Sequence, residues 1–396
     1  MNCTQTAITE VCSLLVKNGY TVKIPGFNAI DLYLGLPTLP FVFVETNADT
    51  AKLARLMENL RFPGMDIADA AMDTPNGSIY FHEDDEPNTY SFPLLSFAYD
   101  WKIKRFLDPK GVYPVLRKIR NKEKIILEEE AGFTETGRYR MLMDTAILLA
   151  RYDFSTKVTK LAAVINEALE NLPAQSAPKA EAQRIFLIGL LLSPHPERGL
   201  EFLKRTGFLS ELWPEIASLD EVDHSKEYHP EGNVWNHTME TFQHRKAHSS
   251  GAFDLRLSLG LLVHDMGKPV SASFGSRPFD GHAELGAGAA TRFLKRLGFD
   301  AAISDDIFYL VKNHMLPAAL KRLPLTKTAE IMASPMFPTL MELYRCDESS
   351  SFKGLEGYYE NSAAYKSYLK HLKNPYRSAD GKKMRRKEIY AIFDKI

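Results

Sequence analysis

The sequence predicts an α+β protein: a small mixed α/β head over residues 1–125, an all-α neck over 126–223, and an all-α C-terminal domain over 224–396. Three observations carry this. Short apolar runs alternate with turn formers up to about residue 125, apolar residues then recur three and four apart, and the last third is helical segments punctuated by Gly and Pro. At 396 residues, with 45% apolar and 25% charged, the chain can build more than one core and is not a disordered polymer.

In the head, Phe41–Val44 reads as a buried strand, Ala51–Leu60 as a helix and Ser78–Phe81 as a second strand. Pro63-Gly64 and Pro75-Asn76-Gly77 supply turns, and the acidic run His82–Glu86 (HEDDE) reads as a solvated loop. In the neck, Arg140–Tyr152, Val158–Asn171 and Glu181–Leu192 have helical spacing, with Pro173–Lys179 as a loop between helices. No repeat or low-complexity tract is present.

Lys plus Arg (49) nearly balances Asp plus Glu (50), which excludes a general polyanion binder, and no DNA partner is expected. Three cysteines, Cys3, Cys12 and Cys346, cannot build a disulfide framework and suit a reducing cytoplasm. The first residues lack the basic and apolar regions of a secretory signal. The longest apolar run, Ile185–Leu192, is far below the ~20 residues of a membrane span. The expectation is a cytoplasmic protein with no membrane partner.

Eight of the eleven histidines lie between His224 and His314. Imidazole is the commonest transition-metal ligand. His264 and Asp265 are adjacent, and neighbours on a helix point ~100° apart. They can grip one ion only near a helix end, where Gly267 breaks the helix. Neutral imidazoles and carboxylates without cysteine suit a borderline or hard divalent ion, not structural zinc. A metal-free polar network is the competing reading. His244 and His248 share a helical face with His237 and are assigned to packing or solvent. Gly267-Lys268 is not a phosphate-binding loop, because the required glycine five residues earlier is Leu262.

The order His237, His264-Asp265, Asp347 resembles the HD metal-dependent phosphohydrolases. The strings HPEGNVWNHT (His229–Thr238), LLVHDMGKP (Leu261–Pro269), DGHAELGA (Asp280–Ala287) and KNHM (Lys312–Met315) resemble the HD domain of bacterial CCA-adding tRNA nucleotidyltransferases and poly(A) polymerases. The resemblance implies that His237, His264, Asp265 and Asp347 hold one divalent ion. His282 and His314 add a second, with Asp265 shared. The ion would be Mn, Ni, Mg, Fe or Zn. Asp265 and Lys268 are the candidate catalytic residues, Lys268 by neutralising phosphate charge; a plain surface lysine is the alternative. His229 and Lys268 are candidate substrate contacts, His229 equally a buried hydrogen-bonding residue.

The same resemblance implies a nucleotidyltransferase-like head, and there the sequence departs from the family's pattern. Gly26–Gly35 keeps its end glycines and Asp31, but Phe27 and Ile30 replace glycine and arginine. Phe41-Val42-Phe43-Val44-Glu45 puts phenylalanines where two metal-binding aspartates belong. Tyr90–Ser96, ahead of Ala98-Tyr99-Asp100, lacks the expected arginine, aspartate and asparagine; Thr136–Arg140 keeps only the arginine. Two-metal nucleotidyl transfer needs hard carboxylates, which phenyl rings cannot supply. Transfer is therefore expected to be lost. A local excess of basic residues over Trp101–Lys124 (nine Lys or Arg against Asp108 and Glu123) and the run Lys382–Lys387 read as solvated faces or as RNA-phosphate contacts.

The leading expectation is a phosphatase or 2′,3′-cyclic phosphodiesterase acting on a nucleotide or RNA-end phosphate, with tRNA as a possible partner. An active tRNA nucleotidyltransferase or poly(A) polymerase, and a non-catalytic RNA-binding module, are the alternatives. The last would show a steep fall of tRNA affinity with salt.

Overall fold

The computed structural model describes residues 3–65, 67–75, 77–84, 90–127, 137–170, 176–223, 232–271, 279–351, 354–373 and 382–385. The chain forms two compact units, one of residues 1–213 with 247–254 and one of residues 214–246 with 255–396. Among the described residues no helix is long and apolar enough to cross a membrane.

The first unit opens with helix α1 (Cys3–Lys17), strand β1 (Lys23–Pro25), α2 (Gly26–Leu34), β2 (Phe41–Thr46) and α3 (Thr50–Leu56). It continues with β3 (Leu60–Arg61), β4 (Ala70–Thr74), β5 (Gly77–Glu83), β6 (Ala98–Asp100), β7 (Arg105–Leu107) and α4 (Tyr113–Arg120). The strands make one sheet in the order β3-β4-β5-β2-β1-β6-β7. Among the described residues only β2 and β5 run parallel, in register from Phe41↔Ser78 to Thr46↔Glu83. Helices α5 (Arg138–Arg151), α6 (Val158–Leu169), α7 (Ala180–Leu191), α8 (Pro196–Arg205) and α9 (Phe208–Leu212) follow.

Two segments differ from the sequence reading. The helix expected over Ala51–Leu60 starts at Thr50, where the Asp49 side chain accepts from Lys52 N at 2.8 Å, and ends at Leu56. Asn59 takes the left-handed φ of 64°, and the chain turns into β3. The acidic run is not all loop either: His82 and Glu83 complete β5, held by the parallel ladder to Glu45 and Thr46. Asp85 and Glu86 lie outside the described residues.

The two-residue period of β2 decides what each face of the sheet buries. Val42 and Val44 enter a core with Ile8, Val11, Cys12 and Leu15 of α1. Phe41 enters a second core with Tyr80 and Ile185 of α7, with Phe43 packed against it. The Phe43 and Tyr80 rings stack at 5.2 Å. The face where the resemblance calls for two aspartates is thus an aromatic floor beneath a helix. Glu45, on the same face, is buried and accepts a hydrogen bond from Tyr90 Oη. Asp31, the acid kept from the first motif, is spent on structure. Arg151 of α5 grips it with Nη2 at 2.6 Å and Nε at 2.8 and 2.9 Å, and both side chains are buried.

Most basic residues of Trp101–Lys124 are exposed, with Lys104 Nζ 3.6 Å above the Trp101 ring and the Arg120 guanidinium 4.0 Å above Tyr33. Trp213 is fully buried and donates Nε1–H to Gln183 Oε1.

The second unit is helical: α10 (Pro214–Ala217), α11 (Val234–Gln243), α12 (Leu255–Val263), α13 (Lys268–Ser271), α14 (His282–Arg296), α15 (Ala301–Asn313), α16 (Leu325–Met332), α17 (Phe337–Ser349) and α18 (Glu356–Lys373). Trp235, Phe293, Leu310 and Leu343 are among its fully buried side chains.

Candidate metal centre

Each candidate ligand of the second unit sits where a helix begins, ends or exposes one turn to a common cavity. Asn233 caps α11 through a hydrogen bond from Asn236 N, and His237 follows on the first turn, 1% exposed. The buried run of α12 ends at Val263, so His264 and Asp265 fall beyond the helix, at 1% and 2% exposure. That placement frees the adjacent pair from helical divergence. Gly267 is the reason the next turn can close: a Cβ there would lie 2.0 Å from His282 O and 2.6 Å from Gly286 N. His282 is the first residue of α14, His314 caps the end of α15, and Asp347 lies in the last turn of α17.

Distances among the side chains are short. His237 Nε2 stands 2.9 Å from Asp347 Oδ1, and His264 Nε2 3.3 Å from Asp265 Oδ2. His282 Nε2 and His314 Nε2 are 3.0 Å apart, and they lie 3.6 and 3.8 Å from Asp265 Oδ1. Ligand atoms on an ion ~2.0–2.1 Å away are spaced by roughly 2.8–3.4 Å in octahedral or tetrahedral arrangements. Two trios, His237–His264–Asp265 and Asp265–His282–His314, offer atoms within 4.8 Å of one another and could each hold an ion. Asp265 belongs to both.

The second nitrogens settle three tautomers. His264 Nδ1 meets Leu261 O at 2.9 Å, His282 Nδ1 meets Phe279 O at 2.8 Å and His314 Nδ1 meets Val311 O at 2.7 Å. A carbonyl only accepts, so each Nδ1 carries the hydrogen. A neutral ring then turns its Nε2 lone pair inward. Burial pushes His282 below its usual value and His314 down to about 4, so both rings are neutral at pH 7. Two lone pairs therefore face each other at 3.0 Å, and His264 Nε2 is buried without a hydrogen-bond partner among the described residues. An orphaned buried acceptor and two opposed lone pairs are costly unless a cation lies between them. The donor set fits a divalent ion.

Burial would raise both carboxyls, but the groups packed around them, with Lys268 Nζ 2.6 Å from Asp265, hold both below the usual carboxylate range. Both acids are anionic, which draws in a cation. Lys268 is no plain surface lysine: its side chain is 12% exposed and Nζ donates to Asp265 Oδ2 at 2.6 Å. Above the cluster opens a cavity of about 640 Å³. Phe279, Lys312, Met315, Tyr344 and Glu348 also line it.

The structure therefore brings together six expected ligands and Lys268. His244 is half-buried at the end of α11 and His248 is exposed in a turn; neither belongs to the cluster, matching their assignment to packing or solvent. His229 and Thr136 lie outside the described residues, as do Arg386 and Lys387 of the basic C-terminal run. Sequence reasoning missed Gly286 and the wall residues Tyr344 and Glu348. The last two stand three residues before and one after Asp347, a helical spacing that could have pointed to them.

Comparison with known proteins bears directly on this unit. Residues 234–334 match the HD domain family. The HD domain thus takes in His237, His264, Asp265, His282 and His314, while Asp347 follows it. A CC-adding tRNA nucleotidyltransferase of Thermus thermophilus is 33% identical over 193 residues, 47% of this chain and 42% of that protein. A multifunctional CCA protein of Halorhodospira halophila is 32% identical over 127 residues, 32% of this chain and 29% of its own. A bifunctional uridylyltransferase/uridylyl-removing enzyme of Ruegeria pomeroyi is 32% identical over 152 residues, 34% of this chain and 16% of its own. The chain spans less than half the length of these curated relatives. It carries an HD domain and resembles the tRNA nucleotidyltransferases.

Proposed function

We propose that this protein is a divalent-metal-dependent phosphohydrolase, of phosphatase or 2′,3′-cyclic phosphodiesterase type, acting on a nucleotide or RNA-end phosphate. The observation that carries the reading is the inward turn of three imidazoles, their Nδ1–H held by carbonyls, that points each Nε2 at the ionised Asp265 carboxylate. His237, His264, Asp265 and Asp347 would hold one ion, and His282 and His314, with Asp265 shared, a second. A divalent ion supplies Lewis acidity toward a phosphoryl group and acidifies water at neutral pH.

The side chains do the rest. The carbonyl-held Nδ1–H bonds keep three imidazoles oriented. Asp265 steadies Lys268, whose ammonium faces the cavity and opposes phosphate charge. One relative is named in part as a uridylyl-removing enzyme, a removal reaction that agrees in kind with hydrolysis.

A second reading is tRNA nucleotidyl transfer. The names of the matched relatives favour it over hydrolysis. Against it stand Phe41 and Phe43, which occupy the motif positions and pack with Ile185 of α7. Both readings make RNA the natural partner class. One paired assay separates them. Purified protein with Mn²⁺, Ni²⁺ or Mg²⁺ is given a 2′,3′-cyclic nucleotide and nucleoside monophosphates, and in parallel tRNA lacking its 3′ end with CTP and ATP. Phosphate release or ring opening that disappears in His264→Ala supports hydrolysis. Nucleotide incorporation with no hydrolysis overturns it in favour of transfer.

A further inference from the structure

Three of the four imidazoles have Nδ1 against a backbone carbonyl, which leaves no choice of tautomer. His237 is different: its Nδ1 lies 3.2 Å from Ser350 Oγ. A hydroxyl can donate or accept, so this contact alone leaves the ring's proton unplaced. The hydroxyl's own hydrogen settles the matter. Ser350 Oγ donates to Asp347 O at 2.6 Å, the shorter of its two contacts. Its lone pairs are then left to accept Nδ1–H from His237. Ser350 is 4% exposed and caps the end of α17, with its N–H bonded to Cys346 O and Asp347 O, so the oxygen is fixed in place.

We propose that Ser350 is a positioning residue that keeps a hydrogen on His237 Nδ1, so that Nε2 is the nitrogen left to bind the ion that His237 and Asp347 would share. One hydroxyl thereby couples two candidate ligands from different helices, α11 and α17. The inference rests on the metal-centre reading for its purpose, while the bond from His237 Nδ1–H to Ser350 Oγ belongs to the metal-free chain as well, where Nε2 meets the Asp347 carboxylate in place of an ion. Without Ser350 nothing holds a hydrogen on Nδ1, and the ring keeps one on Nε2 alone, donated to Asp347 Oδ1 2.9 Å away. That hydrogen would sit where the ion belongs. Outer contacts that orient metal-binding histidines typically change affinity 10–100-fold when removed.

The test uses the full chain with Ser350→Ala and Ser350→Thr. The first readout is the nitrogen resonances of ¹⁵N-histidine-labelled, metal-free protein, with the His237 signals identified by their loss in His237→Gln. The parent and Ser350→Thr are expected to carry hydrogen on Nδ1, and Ser350→Ala on Nε2 alone. The second is Mn²⁺ titration by electron paramagnetic resonance, repeated in a His314→Ala background that dismantles the second trio. There Ser350→Ala is expected to bind about 10–100-fold more weakly, with Ser350→Thr recovering most of the loss. An unchanged His237 tautomer in Ser350→Ala overturns the inference, as does an unchanged affinity. Equal loss in folded Ser350→Thr also counts against it. Should the parent bind no Mn²⁺, the metal-centre reading fails, while the nitrogen resonances still decide the role of Ser350.

Discussion

Replacing Arg151 by methionine isolates a buried, three-bond ion pair of the first unit. Asp31 and Arg151 have side chains 1% and 4% exposed and share three bonds of 2.6–2.9 Å. Arg151 Nη2 also donates to Pro37 O at 2.7 Å, and Tyr152 Oη donates to Asp31 at 3.0 Å. Removing one partner of such a buried pair costs about 3–5 kcal/mol, because the other charge is left unpaired out of water. At 1.36 kcal/mol per decade this is roughly 10²–10⁴ in an opening equilibrium. Native-state hydrogen exchange should show that acceleration in peptides of α2 and α5, with α14 and α15 of the other unit unchanged. The pH dependence has a definite sign. Burial raises the Asp31 carboxyl and Arg151 opposes this, so in the variant the folded acid holds its proton more tightly than the unfolded one. Its stabilising protonation is present at low pH and lost as pH rises through the folded value, so the defect is smaller at pH 5 than at pH 8. Asp31→Leu with Arg151→Met removes both charges and should recover about half the loss or more, Tyr152 Oη and Pro37 O keeping the remainder. A loss under about 1 kcal/mol for Arg151→Met, or equal acceleration in both units, would refute the assignment of Asp31 to structure.

Gly267→Ala drives a methyl to 2.0 Å from His282 O, so the turn and α14 must separate. At least about 1–3 kcal/mol of stability should be lost in melting experiments, along with ion binding measured by titration. Phe41→Asp with Phe43→Asp restores the acids of the transfer motif, but on a face packed against Ile185. Lower stability and no incorporation of CTP or ATP into tRNA are expected; incorporation would show that the face opens. Cys12 and Cys346 are fully buried, and burial pushes both thiols up to about 12. Peptide-mapped alkylation at pH 8 should leave both unmodified until denaturant is added.

Much of the candidate centre was legible because its chemistry depends on residue type. His264-Asp265 before Gly267, with His237, His282, His314 and Asp347 spread over other helices, is readable as a donor set without coordinates. Contacts made by backbone were not. The carbonyls that orient His264, His282 and His314 carry no side-chain signal, and the Gly267–Gly286 approach appears only when two helices cross. In the head, the loss of aspartates at 41 and 43 was plain in the letters, yet nothing local said that α7 would cover them. The parallel ladder extended β5 through His82 and Glu83 against their polar character, because strand ends follow partners as well as propensity. Likewise the extended backbone of Met57 ended a helix whose apolar spacing continues to Leu60.

Bound metal per chain is the most direct measurement of the central claim. The parent protein, equilibrated with Mn²⁺ or Ni²⁺ and freed of loose ions, is analysed by inductively coupled plasma mass spectrometry beside Asp265→Ala, which removes the carboxylate common to both trios. One or two equivalents in the parent and almost none in the variant is the expected result. A parent that retains no ion, or a variant that retains as much, would contradict the account.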